Sequence, residues 1–318
     1  MTDTQKEVFK TPVNKIRLFE HGAPGSQNLK LTRKYYTEDM PDGRVKHIVQ
    51  NITDPDIVPY IPDGIGNSTD RQRIPAVLII PGGAFRRLVY NFEGEDVAKW
   101  LNSMGIAAFV LECRLPSDEH DNAEDVPLID AMRAMRVIRG RAQEFGIDEA
   151  KIGVMGFSAG GFMAASLSTA YESDVYADYK YKDEYDKLSA RPDFAVCSYP
   201  VISIDDCIEA GKRYMSEEQV LERISDSKAK ILHKYNPDKL VRPDMPPVFI
   251  CETDDDRTTL SENSVGFYMA ARKAGVSAEL HIFRTGGHGY GCGDDFAQTG
   301  ESVSYTHLRA HETGAYLV

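Results

Sequence analysis

Cysteine and tryptophan are scarce in this 318-residue chain, which has five cysteines and one tryptophan. The cysteine count is odd and no Cys-x-x-Cys pair occurs, so we expect neither a disulfide framework nor a zinc knuckle. No run of about 18 apolar residues occurs either, which argues against a membrane-spanning helix. The first residues are polar, and we therefore expect no secretory signal peptide, a cytoplasmic location and reduced thiols.

The chain also has fewer positive than negative residues. It contains 37 Lys and Arg residues and 49 Asp and Glu residues, which gives a formal net charge of −12. Such a chain would be repelled by nucleic acids and by anionic membranes, so we expect neither as a partner. Its 42% hydrophobic and 27% charged residues exclude a collagen-like, disordered or membrane-embedded protein. The length suffices to bury a full core without disulfides, and no oligomeric state can be predicted.

Short apolar runs alternate with amphipathic stretches at the spacing of β-α-β units. Strands are predicted at residues 45–52, 76–80, 106–111, 151–157, 194–202, 248–253 and 278–283. Helices are predicted at residues 94–104, 126–145, 159–169 and 261–273. This alternation indicates an α/β protein with a doubly wound, mostly parallel sheet and helices on both faces.

Two polar stretches interrupt the alternation, residues 171–188 and residues 205–246. Both fall between core strands, so we interpret them as excursions over the carboxyl edge of the sheet, where ligands bind in such folds. The second is predicted to be a small cap-like insertion within a single domain of residues 1–302. For the first, a solvated surface loop is the competing interpretation.

The pentapeptide Gly156-Phe-Ser-Ala-Gly160 directly continues the strand predicted at 151–157. In a Gly-x-Ser-x-Gly motif the serine stands on a tight strand-to-helix turn, and the glycines permit close backbone approaches that a Cβ would oppose. An ordinary glycine-rich turn has the same pattern, but the apolar strand before it and the small residues after it favour Ser158 as a nucleophile. The Ala159 N–H at the helix start would bind a developing oxyanion.

The strand at 76–80 ends in Pro81-Gly-Gly-Ala-Phe85, where hydrolase sheets place the loop that supplies further N–H donors. We expect Gly83 and Ala84 to complete the oxyanion hole. A serine nucleophile needs a general base that is oriented by a carboxylate, in the chain order Ser, acid, His. His288 lies between glycines just past the last predicted strand and is the predicted base.

The acid should follow the strand at 248–253, where three carboxylates stand in a row, Asp254, Asp255 and Asp256. We predict Asp256 as the acid, with Asp255 as the second choice. Asp205, after the strand that ends near residue 202, is a weaker alternative. A run of acidic residues is usually a solvated turn, so only one of the three need be catalytic.

Taken together, these motifs resemble the α/β-hydrolase esterases of the acetyl-esterase and acetylxylan-esterase-like group, often grouped with dienelactone hydrolases and feruloyl esterases. The resemblance spans about residues 45–291. The segments that carry it are Ile80–Phe85, Glu93–Leu101, Val110–Pro116, Ile152–Gly161, Arg191–Phe194, Tyr199–Ser203 and Gly286–Gly289. In the family the acid is the second Asp of a pair shortly before Glu-Asn-Ser. Counting from Glu262-Asn-Ser264, that position is Asp256.

Three departures from the family pattern are visible. Ala84 replaces a frequent third glycine of the oxyanion turn, a change that leaves the main-chain donor in place. Phe162 stands where a histidine commonly follows the elbow glycines, which would reshape the pocket wall. Thr258-Thr-Leu260 stands where Val and Pro usually follow the acid, which leaves the choice between Asp255 and Asp256 open.

The resemblance implies a serine carboxylic-ester hydrolase that removes short acyl groups, acetyl on sugars first, through an acyl-enzyme. It implies no cofactor and no metal, and a small-molecule or carbohydrate ester as the partner. One alternative is a serine peptidase of the prolyl-oligopeptidase type. Another is a non-catalytic α/β-hydrolase-fold binding protein, which the intact Ser, Asp and His set disfavours.

The end of the chain does not fit this pattern. Such folds normally close with an amphipathic helix, but the stretch after Gly291 is polar and shows no apolar helical face. Residues 303–318 resemble translated sequencing-adapter tails, and we expect them to be foreign to the gene. A genuine but irregular terminus is the alternative.

Overall fold

The computed structural model describes Phe9 and residues 13–65, 73–213, 216–223 and 226–292. The tail predicted to be foreign, residues 303–318, lies outside the described residues.

The strands are β1 (Ile16–Arg17), β2 (Lys34–Asp39), β3 (Val45–Gln50), β4 (Asp56–Tyr60), β5 (Ile74–Ile80), β6 (Leu88–Val89), β7 (Ala107–Glu112), β8 (Ile147–Phe157), β9 (Ala195–Ser198), β10 (Val248–Thr253) and β11 (Ala278–Phe283). The α-helices are α1 (Asp96–Ser103), α2 (Val126–Gly140), α3 (Ala142–Phe145), α4 (Ala159–Ala170), α5 (Ile204–Lys212), α6 (Glu217–Arg223), α7 (Asp226–Lys234), α8 (Pro237–Leu240) and α9 (Ser261–Lys273).

Eight strands form the main sheet in the order β1-β4-β7-β5-β8-β9-β10-β11. The six strands from β7 to β11 in that order run parallel, and β4 and β1 add an antiparallel edge. The chain passes from β5 through α1 to β7, and then back through α2 to β8. Because both crossovers are right-handed by rule, this reversal puts α1 and α2 on opposite faces. The predicted doubly wound sheet is thus confirmed.

Apolar sequence explains the centre of the sheet. All six residues of β7 are buried, as are the five residues of β5 from Ala76 to Ile80, which is the pattern of strands covered on both faces. Helix α4 contacts β8, β9, α2 and α8, and its residues from Ala159 to Thr169 are all buried. Its many small side chains allow this close packing. At Gly161, for example, a Cβ would lie 2.9 Å from Cβ of Pro200.

Several predicted boundaries change in the structure. The strands β10 and β11 and the helix α9 have the predicted bounds, but the predicted helix 126–145 divides at Arg141, whose φ and ψ of −103° and 14° are not helical. The predicted strand 194–202 ends at Ser198. Four strands escaped prediction. β1 is an edge strand of only two residues, and β4 lies next to that edge and mixes buried with partly buried residues. β2 and β6 belong to a separate three-stranded sheet with β3.

The stretch 171–188 does not line the carboxyl edge, contrary to the prediction. Helix α4 starts at that edge and runs back across the sheet, so the stretch begins at the opposite edge. It packs on α2 instead, where Arg133 pairs with Asp183 and Asp186, and the Tyr179 hydroxyl donates to the Gly22 carbonyl at 2.9 Å.

The stretch 205–246 is mainly helical and starts beside the serine turn, where the Val201 N–H donates to the Ser158 carbonyl at 3.2 Å. Helix α7 contacts the short turn Pro116–Asp118 after β7, and α8 contacts α4 and α9. Its role as a cap over substrate stays a prediction. No helix in the described ranges is long and apolar enough to cross a membrane.

Candidate active site

The turn between β8 and α4 holds Ser158 in a strained backbone conformation. Its φ of 53° and ψ of −118° are unusual for a residue with a side chain, and its N–H donates to the Ser198 carbonyl at 3.0 Å. The flanking glycines have no room for a side chain. A Cβ at Gly156 would lie 2.0 Å from the Gly160 oxygen, and one at Gly160 would lie 2.0 Å from the Ile80 oxygen. The motif therefore forms the tight elbow that the sequence predicts.

Ser158, His288 and Asp256 are joined by two consecutive hydrogen bonds. The Ser158 Oγ is 2.9 Å from Nε2 of His288, and Nδ1 of the same ring is 2.6 Å from Oδ2 of Asp256. The serine follows β8, the acid follows β10, and the histidine follows β11, so three parallel strands bring the three side chains to one edge. The structure thus brings together the three residues that the sequence analysis selected.

Asp256 is held in its ionised form by several donors. Its Oδ1 accepts the N–H groups of Thr258 at 2.7 Å and Thr259 at 2.9 Å, and its Oδ2 accepts the Thr259 hydroxyl at 2.9 Å. Burial by itself would raise the pKa of Asp256, but the hydrogen bond and charge of His288 and these backbone donors outweigh burial and hold the pKa below its usual value. An ionised Asp256 makes Nδ1 the proton-bearing nitrogen of His288, which leaves Nε2 free to accept the serine proton.

The two alternatives for the acid lie elsewhere. Asp255 is exposed, and its Oδ1 accepts the N–H groups of Gly286 at 2.9 Å and Gly287 at 2.8 Å, so it holds the backbone that precedes His288. Asp205 lies exposed in the first turn of α5. Consecutive residues on a turn point in different directions, and only Asp256 faces the imidazole. Asp254 is exposed and donates its N–H to the Phe283 carbonyl.

The loop after β5 turns sharply beside the serine. Gly83, Ala84 and Phe85 have φ values of 138°, 58° and 62°, a run of positive values that non-glycine residues rarely adopt. Among the described residues, no acceptor receives the N–H of Gly83, Ala84 or Ala159. Within the part of the chain that the structure describes, all three predicted oxyanion donors are therefore free of a hydrogen-bond partner.

A narrow, mostly apolar cleft adjoins these donors. Its wall includes Gly83 and Ala159 together with Phe85, Leu115 and Met163. Phe162 lies beneath the loop rather than in the wall of this cleft, since it is fully buried and packs edge-on against Phe85 with the ring centres 5.6 Å apart.

The sequence analysis did not predict three further polar residues of the site. Thr259 lies within 3.3 Å of Nδ1 of His288. Glu93 and Tyr199 are buried and joined by a hydrogen bond of 2.9 Å, although 106 residues separate them. Both lie in segments that carry the family resemblance, and that resemblance was the available signal.

The parallel sheet, the strained serine elbow after β8 and the order of Ser, Asp and His along the chain define an α/β-hydrolase. The chain belongs to the BD-FAE family, which matches residues 65–270. The family resemblance drawn from the motifs is confirmed.

Relatives agree with this assignment. The chain is 31% identical over 223 residues to an acetylxylan esterase of Xylanibacter ruminicola, covering 70% of this chain and 42% of that protein. It is 31% identical over 227 residues to endo-1,4-beta-xylanase B of Butyrivibrio fibrisolvens, covering 71% of this chain and 34% of that protein. The chain thus spans less than half the length of either relative. Among solved structures, an acetyl ester-xyloside bifunctional hydrolase from Caldicellulosiruptor lactoaceticus superposes with a TM-score of 0.70 at 32% identity, covering 95% of this chain and 96% of that one.

Proposed function

We propose that this protein is a serine carboxylic-ester hydrolase that removes short acyl groups, acetyl above all, from a neutral carbohydrate or small-molecule ester. The observation that carries the proposal is the continuous hydrogen-bonded path from Ser158 Oγ through His288 to Asp256. The acetylxylan esterase among the relatives supports acetyl as the acyl group and a sugar as the alcohol.

In the first half of the reaction, Ser158 Oγ attacks the acyl carbonyl carbon while Nε2 of His288 takes the hydroxyl proton. The negative charge that develops on the carbonyl oxygen is stabilised by the N–H groups of Gly83, Ala84 and Ala159. Asp256 stabilises the imidazolium that forms. The tetrahedral intermediate then collapses, the alcohol leaves with the proton from Nε2, and the acyl group stays on Ser158.

In the second half, water attacks the acyl-enzyme and gives its proton to Nε2 of His288. The second tetrahedral intermediate uses the same three N–H donors, and its collapse releases the carboxylic acid and restores the Ser158 hydroxyl.

The proposal is tested by hydrolysis of p-nitrophenyl acetate, butyrate and octanoate, acetylated xylan and a peptide anilide. We expect acetate to give the highest kcat/KM and acetic acid to be released from xylan. In Ser158→Ala we expect kcat to fall by about 10⁴-fold or more. Equal rates for the wild type and Ser158→Ala would reject the serine mechanism, and preference for the anilide would reject the esterase assignment in favour of a peptidase.

If the reaction passes through an acyl-enzyme, we expect an initial burst of nitrophenol release. Mixing enzyme with an excess of p-nitrophenyl acetate should release about one equivalent of nitrophenol per active site before steady turnover, provided deacylation is slower than acylation. Mass spectrometry of the quenched enzyme should show an added acetyl group on the peptide that contains Ser158. The cytoplasmic location and the single domain of residues 1–302 stay predictions from the sequence.

A further inference from the structure

Glu93 is a buried carboxylate next to the serine elbow that the proposed reaction does not use. Its exposed fraction is 5%, and among the described residues no cation forms an ion pair with it. Burial raises the pKa of Glu93 above its usual value. The charge of His288 and the hydrogen bonds from Tyr199 and Gly82 offset part of this increase. A carboxylate in such a place is costly compared with an apolar side chain of similar size.

One carboxylate oxygen of Glu93 holds the oxyanion loop. The Gly82 N–H donates to Oε2 at 2.8 Å, and Gly82 directly precedes the predicted donors Gly83 and Ala84. Gly82 also lies close to the nucleophile, because a Cβ added there would be 3.0 Å from Cβ of Ser158. A movement of Gly82 would therefore change the distance between Ser158 and the donors beside it.

The other oxygen reaches the histidine loop through Tyr199. The Tyr199 hydroxyl donates to Oε1 at 2.9 Å and accepts the N–H of Gly291, three residues after His288, at 3.1 Å. The Tyr199 ring also packs edge-on against the imidazole, with the ring centres 5.1 Å apart. A single chain of three hydrogen bonds thus links the loop after β5 to the loop after β11.

We propose that Glu93 and Tyr199 are positioning residues which fix the oxyanion loop and the histidine loop at the separation that Ser158 requires. This inference rests on the proposed function, since it assigns the two residues a part in that reaction. Neither touches the reacting atoms. They set the positions of the imidazole and of the N–H donors of Gly83, Ala84 and Ala159 when the tetrahedral intermediate forms. A displacement of about 1 Å in such a group costs about 100-fold in rate.

The experiment compares Glu93→Leu, Glu93→Gln and Tyr199→Phe with the matched control Glu95→Gln, all as the full chain. Glu95 lies two residues further on, is partly exposed and pairs with Lys99. We expect Glu93→Leu to lower kcat for p-nitrophenyl acetate by about 30- to 100-fold and Tyr199→Phe by about tenfold, with KM within about threefold of wild type. Glu93→Gln keeps an acceptor for Gly82 and should lose less than about fivefold, and Glu95→Gln should be unchanged.

A second readout separates positioning from a merely structural role. A boronic acid forms a tetrahedral adduct with the serine, and its oxygen occupies the oxyanion hole, so its inhibition constant should weaken in proportion to the loss in kcat. A loss of folded protein would instead lower all activities together and appear as a lower Tm and altered circular dichroism. Should Glu93→Leu not fold, Tyr199→Phe, which removes one hydroxyl, decides the question by the same two readouts.

The outcomes distinguish this inference from the proposed function. If Ser158→Ala is as active as the wild type, the proposed function fails. If Ser158→Ala is inactive but folded Glu93→Leu or Tyr199→Phe keeps kcat and boronic-acid affinity within threefold of wild type, the positioning role alone is overturned. A kcat loss in Glu93→Leu that Glu93→Gln largely restores, with parallel weakening of the boronic acid, supports it.

Discussion

Replacing Asp256 by Asn, and separately replacing Asp255 by Asn, tests the geometry of the acid directly. Asp256 Oδ2 accepts the Nδ1 proton of His288 at 2.6 Å, and its side chain is fully buried. An asparagine there either turns its amide N–H₂ toward Nδ1, which forces the proton onto Nε2, or accepts the bond without charge. The wrong tautomer cannot take the Ser158 proton. We therefore expect kcat to fall by about 10⁴-fold, equivalent to about 5.5 kcal/mol of barrier.

The neighbouring substitution should behave differently. Asp255 is exposed, and its Oδ1 accepts the N–H groups of Gly286 and Gly287. The carbonyl oxygen of an asparagine can accept the same two bonds, so Asp255→Asn loses only the charge in a solvent-screened position. We expect a fall in kcat of less than about fivefold, because such exposed contacts contribute up to about 1 kcal/mol.

The assay is initial-rate hydrolysis of p-nitrophenyl acetate for both variants, the wild type and Ser158→Ala, with circular dichroism to establish that each is folded. Rates are measured from pH 6 to pH 9. A folded Asp256→Asn with more than a tenth of the wild-type kcat would refute the assignment of the acid. So would an Asp255→Asn that is impaired as severely as Ser158→Ala while Asp256→Asn is not.

Three stability predictions follow from the site. Ala84 adopts a φ of 58°, so Ala84→Gly should relieve backbone strain and stabilise the protein by up to about 1 kcal/mol in urea unfolding; a lower urea midpoint would contradict this. In Gly160→Ala the new Cβ would lie 2.0 Å from the Ile80 oxygen, and the urea midpoint should fall by the equivalent of about 3 kcal/mol. Burial and the nearby Asp256 raise the pKa of Glu252 from 4.5 to about 9. The folded protein then keeps a proton that the unfolded chain releases above about pH 4.5, so stability falls as pH rises from there towards 9. Glu252→Gln removes this pH-dependent destabilisation, which reaches about 3 kcal/mol at pH 7. Calorimetry should therefore show a larger gain in Tm for Glu252→Gln at pH 8 than at pH 5. Equal gains in Tm at both pH values would refute the prediction.

Local signals predicted much of the fold. The central strands were found because strands buried on both faces are apolar throughout, as in β5 and β7. The break at Arg141 and the edge strands were not predicted. A helix break depends on one residue's dihedrals, and an edge strand such as β2 depends on pairing with β3 rather than on its own apolar pattern.

The placement of the stretch 171–188 shows the limit of arguments from chain order. Its position between two core strands suggested a place at the carboxyl edge. The length and direction of α4 carry the chain to the other edge first, and Arg133 on α2 then fixes the stretch through Asp183 and Asp186. Such long-range ion pairs leave no periodic pattern in the sequence.

The fold class, the serine on its glycine elbow and the catalytic histidine could be inferred from the amino-acid sequence alone, because turn motifs, apolar runs and the order of residues along the chain are visible without knowledge of tertiary contacts. The sequence favoured Asp256 over Asp255 but left the choice open, and the folded structure shows that Asp256 faces the imidazole, since this depends on side-chain direction in a turn. Only the tertiary structure joined Glu93 to Tyr199, 106 residues apart. Hydrogen bonds between distant segments depend on how strands and loops pack against one another, and that packing is a property of the whole folded chain.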